Sequence, residues 1–179
     1  RKGVGRSFTQ ATQEQRESVS YSKLHLRKDK VKNKSVLDLG CNSGWIGKYS
    51  IEAGCQRYLG LEKNWRYLDD CADIGVPAAK FDLNEMYKWK EKFDIVLCLA
   101  TFHYIKDREL FIKSVKNITN ELFVLETPVY NGGDTGLMRQ EDLEKLLNKY
   151  FSEVKYIGES VSPTLDVKLS KRLIYHCLV

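Results

Sequence analysis

Residues Phe93–Leu99 read Phe-Asp-Ile-Val-Leu-Cys-Leu, a run that is apolar at both of its alternating sets of positions. A strand of this kind does not suit a sheet with one face in water. Both of its faces must be covered, as they are in parallel sheets flanked by helices. Its neighbours have the same character. Ser35–Leu39 is a short buried strand stopped by Gly40, and Arg57–Leu61 is a second strand closed by Glu62. Val76–Phe81 is a weaker third, Leu122–Glu126 a fifth, and Glu153–Gly158 and Leu173–Leu178 are the last two.

Helical signals fall between these runs. A helix is predicted over Trp45–Ala53 with Gly54 as its stop, and another over Trp65–Asp73, capped by Asn64 and ended by Gly75. Asp107 caps a third helix, in which Phe111, Val115 and Ile118 share a face, and Leu143, Leu146, Leu147 and Tyr150 mark a fourth. Strands that alternate with helices form right-handed β-α-β units. The last two strands are joined by a loop alone, so they pair antiparallel at the sheet edge, because a parallel return needs a longer crossover. The expected architecture is α/β: a doubly wound, mainly parallel seven-stranded sheet with helices on both faces and an antiparallel last strand.

Composition narrows the class. At 179 residues with 42% hydrophobic and 30% charged residues, the chain suits one ordinary globular domain. No apolar run approaches the roughly 20 residues that cross a bilayer, and Arg1–Ala11 lacks the apolar stretch of a signal peptide. The five cysteines are odd in number and widely spaced, with no C-x-x-C pair, which sets zinc and a disulfide framework aside and points to a reducing cytoplasm. Charge is uneven: residues 1–34 carry a net +7 and residues 35–179 a net −2. The chain therefore divides at about residue 34 into a basic, partly flexible arm and a domain. The arm, with Arg16, Lys23, Arg27, Lys28, Lys30, Lys32 and Lys34, suits RNA or DNA, or is simply a solvated terminus.

In such a sheet, ligands bind beyond the carboxyl ends of the strands, at the point where strand order reverses. The first strand ends in Asp38-Leu39-Gly40-Cys41-Asn42-Ser43-Gly44, where the glycines permit a tight turn and close approach to a ligand. A dinucleotide fingerprint would need glycines at 40, 42 and 45, but Asn42 and Trp45 stand at the last two positions. The segment instead resembles the D-x-G-x-x-x-G loop of class I S-adenosylmethionine-dependent methyltransferases. Further matches follow in that family's order. Glu62 ends the second strand where the family places an acid for the ribose hydroxyls, and Asp82 follows the third strand where it places the adenine contact. Phe93–Cys98 matches the fourth-strand motif, and Ala100-Thr101-Phe102-His103-Tyr104 continues toward the substrate.

The resemblance implies S-adenosyl-L-methionine as cofactor and S-adenosyl-L-homocysteine as product. It implies a cofactor set of Asp38, Gly40, Cys41, Asn42, Gly44, Trp45, Glu62, Lys63, Asp82, Leu83, Leu99 and Ala100, with no metal. Each residue also has a plainer reading: Asp38 as a partner of loop amides, Glu62 as a surface acid, Asp82 as a helix cap, Asp94 as structural, and Trp45 and Phe102 as core. His103 and Tyr104 are the catalytic candidates. Imidazole titrates near neutral pH and can take a proton from a nucleophile, although His103 could equally cap or pack the next helix. Methyl transfer proceeds by in-line displacement, in which alignment supplies much of the rate, so it does not require a dedicated base.

The acceptor is left open between a nucleic acid and a small molecule. The stretch from Val124 to Asp134 resembles, more loosely, the fifth-strand region of transferases that modify the tRNA wobble uridine with a carboxylated S-adenosylmethionine derivative. That cofactor needs an additional cation near the sulfonium, which no residue clearly supplies in the sequence. A third possibility, from another class, is a partner subunit that binds the cofactor without turnover.

Overall fold

The computed structural model describes residues 26, 28–130, 136–161 and 171–179. Its elements run α1 (Lys28–Val31), β1 (Ser35–Leu39), α2 (Trp45–Glu52), β2 (Arg57–Glu62), α3 (Trp65–Asp73) and β3 (Ala78–Lys80). A 3₁₀ segment (Leu83–Lys88), β4 (Phe93–Leu99) and a 3₁₀ turn (Phe102–Tyr104) follow. The chain closes with α4 (Arg108–Ile118), β5 (Thr119–Pro128), α5 (Gln140–Tyr150), β6 (Glu153–Val161) and β7 (Lys171–Leu178).

The strands form one seven-stranded sheet in the order β3-β2-β1-β4-β5-β7-β6. Strands β1 to β5 pair in parallel, and β7 pairs antiparallel with both β5 and β6. The architecture is thus the expected one, including the antiparallel pairing of the last two strands. Strand β7 buries Leu173, Ile174, Tyr175 and Cys177, whereas β6 carries Glu153, Lys155 and Glu159. The apolar strand lies inside and the charged one forms the edge, where charged side chains also deter pairing with another chain.

Alternation along the strands divides the core in two. Leu37, Leu39, Val96, Phe123 and Leu125 face one layer, with Phe111, Ile112, Val115, Leu143 and Leu147 of α4 and α5. Val36, Ile95, Leu97, Val124 and Ile174 face the other, with Tyr58, Cys71 and Val76. Leu26 and Val31, which precede the composition shift at residue 34, are 1% exposed and belong to this second layer. The predicted helix caps are present: Asn64 Oδ1 accepts from Arg66 N at 3.1 Å and Asp107 Oδ1 from Leu110 N at 2.9 Å. Asp94 is structural, accepting from both the amide and the hydroxyl of Ser35 at 2.8 Å.

Two expectations are corrected. The third strand is shorter than Val76–Phe81, because Val76 packs beneath Gly44 and Gly47 rather than in the ladder. The first long helix ends at Glu52, with Ala53 as its cap. The residues after Tyr130 that matched the fifth-strand resemblance, and most of the basic arm, lie outside the described residues. Among the described residues no helix is long and apolar enough to cross a membrane.

Candidate cofactor site at the sheet switch point

The strand order reverses between β1 and β4, so the segments that leave their carboxyl ends diverge and open a crevice. Both are tightly folded. Gly40 (φ 84°), Asn42 (φ 50°), Gly44 (φ 79°) and Ala100 (φ 57°) all occupy left-handed backbone. For Asn42 and Ala100 that conformation is strained, and such strain gathers at ligand sites. A Cβ on Gly40 would lie 2.4 Å from Thr101 Oγ1, so the two turns touch where only glycine fits. Thr101 was not a sequence candidate. Its only local signal was its place after β4.

The turn after β1 is held by its own side chains. Asn42 Oδ1 accepts from the Ser43 amide at 2.7 Å, and Ser43 Oγ donates to Asp70 of α3 at 2.7 Å. Cys71 Sγ lies 3.2 Å from the Asn42 carbonyl. Cys41 is buried beside it, and its hydrogen bond with Cys71, together with burial, pushes its thiol pKa up. Trp45 opens α2 half-buried, with Lys48 Nζ 5.6 Å from its ring centroid.

Glu62 lies across this turn. Its Oε2 accepts from the Asn42 amide at 3.1 Å, and its Oε1 accepts from the amides of Lys63 and Asn64 at 2.8 and 2.9 Å. The carboxylate is therefore fixed by three backbone donors and is not a loose surface acid. Lys63 reaches over to Asp82, 2.7 Å away, and ties the end of β2 to the segment after β3. Asp82 also caps the 3₁₀ segment through the Asn84 amide at 3.0 Å. Lys63 first, and then Asn84, hold its carboxyl down at about 2. Asp82 is thus both a cap and a residue at the crevice. Leu83 opens that segment and is buried, while Leu99 and Ala100 are partly exposed at the end of β4.

Asp38 lies deeper, 2% exposed, and its Oδ2 accepts the Tyr58 hydroxyl at 2.9 Å. Its hydrogen-bond partner is thus a phenol rather than a loop amide. Burial pushes its pKa up to about 7 against the opposing bond from Tyr58, and the Glu62 charge adds to the rise. Tyr58, a strand residue that reads as plain core, was missed because its partner is twenty positions away.

His103 and Tyr104 lie together in the 3₁₀ turn after β4, ring centroids 3.9 Å apart. His103 does not cap α4, since Asp107 does. Burial, then Arg172 and Arg108, lower its pKa to about 4, well below the ordinary imidazole value. Its Nδ1 and the Nε of Arg108 are buried and find no hydrogen-bond partner among the described residues. Both residues line a shallow, closely packed cleft with Phe102, Thr127, Pro128 and Met138. Arg108 also donates to the Gly136 carbonyl at 2.8 Å, joining the start of α4 to the segment before α5. Tyr104, by contrast, is 72% exposed.

Residues 37–121 match a family model described as a methyltransferase domain. A tRNA U34 carboxymethyltransferase of Pseudomonas putida is 25% identical over 177 residues, covering 83% of this chain and 55% of that protein. One of Pseudomonas aeruginosa is 30% identical over 125 residues, covering 63% and 38%. The chain spans about half the length of the first of these relatives. Among solved structures, magnesium protoporphyrin IX methyltransferase from Synechocystis with bound S-adenosylhomocysteine superposes with a TM-score of 0.72 at 14% identity, covering 94% of this chain and 88% of that one. An S-adenosylmethionine-dependent methyltransferase from Mesorhizobium loti gives 0.66 at 15% identity, covering 87% and 100%. Residues 37–121 thus match a methyltransferase domain, and the sheet order is the fold of the S-adenosylmethionine-dependent methyltransferases it superposes on.

Proposed function

We propose that the chain binds S-adenosylmethionine at the β1–β4 crevice and transfers a group from it to an acceptor held on the β4–β5 side. The observation that carries this reading is Glu62, pinned by three amides across a left-handed turn where strand order reverses. Gly40 and Gly44 let the backbone approach the cofactor, Glu62 would accept from its ribose hydroxyls, and Asp82 would meet its adenine. Cys41, Asn42, Trp45, Lys63, Leu83, Leu99 and Ala100 would line the same cleft. When bound, S-adenosylmethionine supplies a methyl group already made electrophilic by its sulfonium. The protein's part is then alignment and exclusion of water. With its pKa near 4, His103 is neutral at pH 7 and a weak proton acceptor, so alignment carries more of the rate than general-base catalysis.

The relatives' name favours a second reading, transfer of a carboxymethyl group to the wobble uridine of tRNA. The cation that a carboxylated cofactor needs, not evident from sequence, has candidates in the structure. Arg108 and Arg172 both lie close enough to His103 to depress its pKa. Arg172 is shared with Glu126, 3.3 Å away. The basic arm would add contacts to an RNA acceptor. Five free thiols suit a reducing, cytoplasmic compartment.

Calorimetry tests the cofactor reading. Binding of S-adenosylmethionine or S-adenosylhomocysteine on the micromolar scale is expected, and no heat with either, alongside binding of NAD, overturns it. Tighter binding of the carboxylated derivative supports the second reading. Cofactor binding without formation of S-adenosylhomocysteine across an acceptor panel would instead indicate a non-catalytic partner subunit.

A further inference from the structure

Five aromatic side chains are exposed among the described residues: Trp65, Tyr87, Tyr104, Tyr130 and Tyr156. Single exposed aromatics need no explanation, but three of these five share a place in the fold. Trp65 follows β2, Tyr104 follows β4 and Tyr130 follows β5, all at the carboxyl rim of the sheet. In the strand order they run Trp65, the cofactor turn, Tyr104, Tyr130. At the usual strand spacing the row covers roughly 14 Å. Of the other two, Tyr87 lies late in the crossover from β3 to β4 and Tyr156 within edge strand β6.

Cations are interleaved with them. Arg66 lies 5.5 Å from the Trp65 ring centroid. Lys106 stands two residues beyond Tyr104 and is exposed. Tyr104 itself is the most exposed of the set at 72%, and its ring is backed by His103. Flat π-faces alternating with Lys and Arg along a groove are the pattern by which proteins hold unpaired nucleotides. Bases stack on the rings while the cations follow the backbone.

Building on the proposed function, we infer that this rim is a stacking track for single-stranded RNA. In it Tyr104 and Tyr130 receive the unpaired nucleotides beside the methyl-donor crevice, and Trp65 extends the track past the cofactor turn. A duplex keeps its bases stacked on one another and offers no free faces, so the track selects loops over stems.

Fluorescence anisotropy tests this, with the full chain saturated with S-adenosylhomocysteine and titrated with a short RNA stem–loop or a blunt RNA duplex of equal length. The stem–loop is expected to bind at least about tenfold tighter than the duplex. Tyr104→Ala and Tyr130→Ala should each weaken stem–loop binding about tenfold, the loss typical of one stacked base. Tyr104→Phe keeps the ring and should bind like the wild type, and Tyr156→Ala, off the rim, should also leave binding unchanged. Equal affinity for stem–loop and duplex overturns the inference. So does wild-type affinity in Tyr104→Ala, or a Tyr104→Phe as weak as the alanine variant. Calorimetry with S-adenosylhomocysteine on each variant separates the two readings: cofactor binding without RNA binding sinks the track alone, whereas loss of cofactor binding in the wild type sinks the proposed function.

Discussion

Replacing Asp38 with Asn should change how stability depends on pH. In the native protein this carboxyl is 2% exposed and bound by the Tyr58 hydroxyl, and burial pushes its pKa up to about 7. In the unfolded chain it returns to the ordinary aspartate value of about 4. Between those values the unfolded chain has released a proton that the folded protein still holds. Rising pH therefore favours unfolding, and the contribution of this group is full below about pH 4 and lost as pH climbs through 7. A gap of about three pH units at about 1.4 kcal/mol each amounts to about 4 kcal/mol. Asn is nearly isosteric with the protonated acid, keeps an oxygen for the Tyr58 hydroxyl and cannot ionise. Its unshared amide protons impose a cost that does not vary with pH. Urea unfolding of wild type and Asp38→Asn should thus diverge by about 1.4 kcal/mol per pH unit between about pH 5 and 6.5, with the variant gaining, and the difference should level off above 7. Parallel stability curves across that range would refute the assignment of a protonated, buried Asp38.

The remaining predictions concern the crevice. Glu62→Ala should cost about 1.5–3 kcal/mol of S-adenosylhomocysteine affinity, as for hydrogen bonds to a charged group, and an unchanged dissociation constant in a folded variant would return Glu62 to a surface role. For His103, burial and the two guanidinium groups place ionisation near 4, so any activity limb it governs lies there and not near the imidazole value. His103→Ala should retain turnover within about tenfold, and a loss of about 100-fold with cofactor affinity intact would make it a general base.

Much of this was written locally in the sequence. The two-faced apolar run Phe93–Leu99 required a covered sheet, Asn64 and Asp107 set helix starts, and Gly40 and Gly44 marked the turn. These features depend on period, on a side chain two or three residues from its amide, or on backbone freedom, all of which act over a few positions. The 3₁₀ segments after β3 and β4 were less legible, because they follow from how the chain turns off a strand end rather than from any apolar period.

The sequence by itself determined the alternation of strands and helices and the turn that faces the cofactor. Only the tertiary structure decided that β7 lies between β5 and β6, that Tyr58 partners Asp38, and that Arg172 lowers the pKa of His103 from 69 positions away. Burial and charge act through space, and their strength depends on how much water separates the groups. Only the packed sheet brings such distant residues together and excludes that water.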